Sequence, residues 1–174
     1  MKPHTPTVKE IEDMFRTTPT GFMPLINPVA TIYTAGGGGL GVEYAHAWRN
    51  EAAALLPEFQ MVSPFRGGKI ERAYKGGHYS GAAVFTPNEI VVRDLQDIKN
   101  ADMVLAEMRD EQYNYIGTNQ EIFYAASLGL PVVLWTTDKY ALHPWLVRHC
   151  VRIFTGELDE VCEYVRGYWK GGIA

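Results

Sequence analysis

An α/β domain built on one parallel sheet is predicted by three observations. Short apolar runs, of four to six residues, recur between longer amphipathic stretches from Val29 to Trp169. Strand and helix alternating at this spacing build a parallel sheet with helices on both faces. The first run ends at Ala35-Gly36-Gly37-Gly38-Gly39 and the second at Ser63-Pro64, so chain-reversing residues sit at the joins. Thr86-Pro87-Asn88-Glu89 then gives a helix start complete with cap, proline at the first position and glutamate at the third.

Each element follows from local pattern. Val29–Thr34 is the first strand. The helix after it, about Val42 to Leu56, spaces Trp48, Ala52 and Leu55 onto one face. Phe59–Val62 and Met103–Ala106 are the second and third strands. A helix over Thr118–Leu128 feeds the strand Val132–Thr136. A short helix near Pro144–His149, a strand Val151–Phe154 and a last helix from about Glu157 to Trp169, capped by Thr155, complete the domain. Five strands in order 2-1-3-4-5, a flavodoxin-like sheet, are expected. Such sheets bind ligands at the carboxyl ends of the strands flanking the switch point, here the first and third. That brings Gly36–Gly39 and the 107–121 segment to one crevice, with Glu121 at its rim.

Residues 1–28 are polar and proline-punctuated and read as an extension packed on the domain or a neighbouring subunit; residues 29–174 form the domain. Its disproportionate segment is 64–86, rich in glycine with Arg66, Lys69, Arg72 and Lys75, either a lid over the crevice or plain disorder. The chain has 174 residues, enough for one domain with a real core, and a net charge of −4 that argues against nucleic acid as partner. No apolar run has membrane-span length and no signal-peptide pattern opens the chain, so a cytoplasmic protein is expected. Cys150 and Cys162 read as reduced thiols, and the five histidines make no metal-binding spacing. Gly36-x-Gly38-x-x-Gly41 matches a dinucleotide fingerprint only as any glycine run does. The second strand ends without the acid that holds a ribose diol, so no nicotinamide or flavin is expected. The glycines still let a ligand approach the backbone closely.

Two carboxylates carry the chemistry. Thr118-x-x-Glu121 reads two ways. In one, Thr118 caps a helix and Glu121 reaches back to its first amide. In the other, the helix N-terminus keeps Glu121 ionised as a nucleophile for glycosyl transfer. Asp94, spaced with Ile90 and Ile98 on an apolar stripe, is either a buried structural acid or one with a raised pKa that exchanges a proton with substrate. Asp97 reads as surface, able to pair with Arg93, and Asp102 as fixing a turn.

Together these parts resemble the nucleoside 2-deoxyribosyltransferase family. The resemblance is carried by Ile32-Tyr33-Thr34-Ala35-Gly36, Ser63-Pro64-Phe65-Arg66, Arg93-Asp94-Leu95-x-x-Ile98-x-x-Ala101-Asp102, Gly117-Thr118-x-x-Glu121-Ile122 and His143-Pro144. It implies Glu121 as the nucleophile that takes the deoxyribosyl group, Asp94 as the acid that protonates the leaving base, and Tyr33 as a residue positioning nucleophile or sugar. It places Gly36, Gly37, Ser63, Arg66, Tyr115, Gly117, Thr118 and His143 around the substrate, with no cofactor and no metal. It also implies a Rossmann-like subunit in a homodimer or larger assembly whose neighbour helps close each site. Tyr115 stands where family members often carry an acid, and His143 near the position of a neighbour's asparagine, which leaves base choice and the 5′ group open. Related enzymes hydrolyse deoxynucleoside 5′-monophosphates with the same glutamate, and Arg66, Lys69 and His143 suit such a phosphate. The expected activity is transfer of deoxyribose between nucleobases. Hydrolysis of a nucleoside or its monophosphate, and a non-catalytic nucleotide-sensing module, are the alternatives.

Overall fold

The computed structural model describes residues 28–37, 42–65, 74–75, 78–79 and 86–171. Strand β1 (Thr31–Ala35) leads to helix α1 (Val42–Leu55) and strand β2 (Gln60–Val62). Two short strands, β3 (Tyr74–Lys75) and β4 (His78–Tyr79), pair antiparallel. Helix α2 (Pro87–Lys99), strand β5 (Met103–Met108), helix α3 (Ile116–Ser127) and strand β6 (Val132–Thr136) follow. Helices α4 (Asp138–Ala141) and α5 (Pro144–His149), strand β7 (Arg152–Phe154) and helix α6 (Leu158–Lys170) end the described chain. The main sheet is parallel throughout, in order β2-β1-β5-β6-β7. Counting only its own strands, that is the expected 2-1-3-4-5 arrangement.

Strand alternation divides the core into two layers. Ile32, Met61, Leu105 and Val133 face α1 and α6, where they meet Trp48, Ala52, Val161 and Val165. Tyr33, Val104, Ala106 and Leu134 face α2 and α3, packing against Ile98, Ile122 and Ala125. Central β5 is buried at all six positions, as a parallel strand covered on both faces must be. At its start, Asp102 accepts the Thr31 amide at 2.8 Å through its side chain and donates its own amide to the Thr31 carbonyl at 2.8 Å, fixing β1 beside β5.

Helix starts test the local rules. At α2 the full capping box is present: Thr86 accepts from the Glu89 amide at 3.3 Å and Glu89 from the Thr86 amide at 2.6 Å. At α6 the cap is Glu157 and not Thr155, and it makes no side-chain cap bond; Asp159 and Glu160 in the first turn complement the helix dipole instead. No helix among the described residues is long and apolar enough to cross a membrane. Cys150 is half-buried and Cys162 buried, both unbridged, and burial pushes each thiol pKa up to about 12. The extension at 1–27, Gly38, Gly39 and Gly41, and Arg66, Lys69 and Arg72 of the basic segment lie outside the described residues.

Candidate active site

The order reverses between β1 and β5, and the carboxyl ends of these strands open the crevice. Tyr33, in the middle of β1, points to the α3 side and is fully enclosed. Its hydroxyl donates to Glu121 Oε1 at 2.6 Å, joining residues 88 positions apart in sequence. Burial, with the Glu121 and Asp94 charges, raises the Tyr33 pKa well above its ordinary value, so the phenol stays a neutral donor.

Glu121 differs from its expected state. Its carboxyl has lost enough water for burial to push its pKa up from 4.5 to about 7; the Asp94 charge adds to this, while the Tyr33 bond and the Arg49 charge oppose it. The expected stabilisation of the ionised form by a helix N-terminus fails because α3 begins earlier. Its N-cap is Tyr115, left-handed at φ 46°, and the Asn119 amide donates to the Tyr115 carbonyl at 2.9 Å. Thr118 is therefore the third helical position and Glu121 the sixth, a turn inside the helix. No Thr118–Glu121 capping box forms: the carboxylate turns to Tyr33 instead.

Asp94 on α2 completes the cluster. Its side chain is 14% exposed, and Oδ1 lies 3.2 Å from Arg93 Nη2, so the acid on the apolar stripe is paired. Arg93 Nη2 also donates to the Pro64 carbonyl, tying the segment after β2 to α2. The Asp94 charge acts on both Tyr33 and Glu121, which makes the three groups one electrostatic unit.

Beneath this unit lie two buried charged residues that the sequence reading did not single out. Arg49 of α1 is enclosed at the end of β1. Glu107 of β5 gathers three donors on Oε1: Tyr44 Oη at 2.8 Å, Tyr115 Oη at 3.1 Å and the Arg109 amide at 2.5 Å. Its Oε2 has no hydrogen-bond partner among the described residues, nor has Trp48 Nε1. A spacing signal existed for Arg49, which follows Ala45 by four positions and precedes Ala52 by three, on the buried face of the helix.

The remaining expected residues separate into groups. Gly36 sits where a Cβ would meet Trp48 Cζ2 at 3.0 Å, Glu107 Oε2 at 3.2 Å and Arg49 Nη2 at 3.3 Å, so backbone passes where no side chain fits. Gly37 beside it is buried. Ser63 is buried, its Oγ accepting the Phe65 amide at 3.2 Å. Tyr115 is buried as well: its backbone is the N-cap of α3, and its hydroxyl, bonded to Glu107 and the Asp110 amide, ties that helix start to β5. Gly117 is exposed and Thr118 buried. His143, the N-cap of α5, lines a groove with Asn119, Gln120 and Phe123 on the side of α3 turned away from Glu121. Within this chain it is not brought to the Tyr33–Glu121 pair, and Arg66 lies outside the described residues. The described grooves flank α2, α3 and α5 and none is lined by Glu121. Among the described residues no three His, Cys, Asp or Glu side chains converge on a metal position.

No family model matches the sequence, and no curated protein matches it. Solved structures do. A 2-deoxyribosyltransferase from Bacillus psychrosaccharolyticus aligns at TM-score 0.61 and 20% identity, over 80% of this chain and 96% of its own. One from Leishmania mexicana aligns at TM-score 0.56 and 19% identity, over 78% and 97%. A conserved protein from Enterococcus faecalis aligns at 0.58 and 15%, over 79% and 98%. Sheet order, crevice and these alignments lead to one conclusion: the chain has the fold of the 2-deoxyribosyltransferases.

Proposed function

We propose that the protein is a nucleoside 2-deoxyribosyltransferase acting by double displacement. The Glu121 carboxylate attacks the anomeric carbon of a 2′-deoxynucleoside, and the N-glycosidic bond breaks. Its electron pair goes to the base nitrogen, which takes a proton from Asp94, the one proton held between the two carboxyls having moved from Glu121 to Asp94 when substrate is bound. A second nucleobase then attacks the glycosyl–Glu121 ester, returns a proton to Asp94 and frees the carboxylate. Tyr33 orients the Glu121 oxygen it bonds. No cofactor enters this scheme.

The observation that carries the proposal is the 2.6 Å bond from enclosed Tyr33 to Glu121, two groups on which the Asp94 charge also acts. A helix-capping glutamate has no need of a buried phenol. The fold shared with two deoxyribosyltransferases supports the same substrate class. A homo-oligomer belongs to this proposal, since Ile116, Phe123, Leu142 and Trp145 are exposed apolar side chains on and around α3 and α5.

Incubation with deoxyinosine and free adenine, followed by chromatography, tests the function. New deoxyadenosine is expected; hypoxanthine release that is independent of adenine would mean hydrolysis instead. Glu121→Ala should lower base release by at least about 10³-fold while the fold and ligand binding persist, as for loss of a covalent nucleophile. Binding without turnover in the parent protein would mark a sensing module.

A further inference from the structure

Arg93 stands beside the proposed acid and is tied in two directions. Its Nη2 donates to Asp94 Oδ1 at 3.2 Å and also to the Pro64 carbonyl. The side chains of Arg93 and Asp94 are 22% and 14% exposed, so the bridge lies mostly out of water. Successive residues on a helix point about 100° apart and do not face each other. The arginine meets Asp94 by lying along the helix surface, and the Pro64 carbonyl supports it there.

The anchor is itself fixed. Pro64 is buried between Ser63, whose Oγ accepts the Phe65 amide at 3.2 Å, and Phe65, which is 8% exposed. Phe65 packs with Ala45 of α1 and Ile90 of α2, and its ring meets His46 edge-on at 5.5 Å. Ile90 precedes Asp94 by one turn, so the segment after β2 and the turn of α2 that bears the acid pack as one body.

An aspartate carboxyl turns about two bonds, and an acid must present its proton in line with the accepting nitrogen. A donor on Oδ1 stops both rotations. Arg93 can keep that bond through the cycle, because a carboxyl protonated on one oxygen still accepts on the other. The cation beside it also makes the proton easier to release.

We propose that Arg93 is a positioning residue acting through Asp94: bridged between the Pro64 carbonyl and Asp94 Oδ1, it holds that carboxyl in the orientation from which the leaving base is protonated. Arg93 gives up no proton of its own. The proposal rests on Asp94 being the acid, and its test separates the two claims.

Base release is compared for two nucleosides. The base of deoxyinosine needs a proton to leave, whereas the cationic ring of 7-methyl-2′-deoxyguanosine takes the electron pair of the broken bond and leaves neutral. Arg93→Met and Arg93→Leu, two neutral replacements, guard against a single variant that fails to fold, and thermal unfolding is read on the same samples. Arg93→Lys keeps a charged donor. In the neutral variants kcat for deoxyinosine should fall roughly 10- to 100-fold, and that for the methylated nucleoside by less than about 3-fold. The lysine variant should recover most of the loss. Adding Arg93→Met to Asp94→Asn should cost nothing further on deoxyinosine. Equal losses on the two nucleosides would show a strut only, and full deoxyinosine turnover in a folded neutral variant would show an acid that needs no support. Either overturns the proposal. Crystal structures of the variants read the Asp94 rotamer without substrate: it should change in the neutral variants and persist in Arg93→Lys, and an unchanged rotamer in all of them also overturns the proposal. A parent that releases neither base, with Asp94 turned away in the neutral variants, would overturn the transferase assignment and leave the hold of Arg93 on Asp94 standing.

Discussion

Tyr33→Phe removes one oxygen and tests the bond on which the cluster turns. A hydrogen bond to a carboxylate contributes about 1.5–3 kcal/mol, so kcat/KM for base release should fall roughly 10- to 100-fold. The direction on pH is fixed too. In the proposed mechanism Glu121 must be ionised to attack, so base release should rise as pH passes up through about 7. The Tyr33 bond favours the ionised form, and without it the acid limb moves to higher pH. A pH–rate profile of the phenylalanine variant with an unmoved limb and full rate would remove Tyr33 from the mechanism. At this scale Asp94 and Glu121 stood out by their spacing on helices, and Tyr33 through the family resemblance; the structure bonds Tyr33 to Glu121. Glu107 fell just past the expected strand Met103–Ala106, and its partners Tyr44 and Tyr115 come from other elements that no spacing announces. The start of α3 was misplaced because Thr118-x-x-Glu121 imitates a capping box, while the actual cap is a tyrosine in a backbone region that tyrosine seldom occupies.

Between elements, Glu58 after α1 holds α6 from two positions, accepting Arg166 Nε at 2.8 Å and Lys170 Nζ at 2.9 Å on one oxygen. Burial pulls its pKa upward, but these bonds prevail and hold it at about 2. The pair is partly exposed, so Glu58→Gln should cost no more than about 1 kcal/mol. That stability is fully present above the unfolded pKa near 4.5 and is lost as pH falls toward 2. Urea unfolding of both proteins should show a gap at pH 7 that closes in acid; a constant gap would assign it to packing. Elements themselves were read well: Val132–Thr136 and Pro144–His149 match residue for residue. The strand ends shifted by one or two residues because hydrogen-bond register, not hydropathy, sets where a strand stops. The pairing of Tyr74–Lys75 with His78–Tyr79 inside the glycine-rich segment had no apolar alternation to reveal it.

For the whole molecule, the raised pKa of Glu121 sets a slope of stability against pH. Unfolded, Glu121 releases its proton near 4.5; folded, it holds it to about 7. Between these values the native state binds more protons, so stability falls as pH rises, by roughly 2–4 kcal/mol in all, and this contribution is flat above the folded pKa. Glu121→Gln should flatten that slope and leave the protein more stable than the parent at pH 8. Unfolding midpoints across pH 4 to 8 check this; a variant with the parental slope would place the ionisation elsewhere. Ionisation of Glu121 is thus opposed to stability.

The two ends of the sheet have a different consequence. Strands β2 and β7 are three residues each, against six in central β5. A strand that short offers a passing chain too few open amides and carbonyls to nucleate cross-pairing. The main sheet is thus blunted against edge-to-edge growth at both margins, so its described edges offer another copy of the chain little template for cross-pairing.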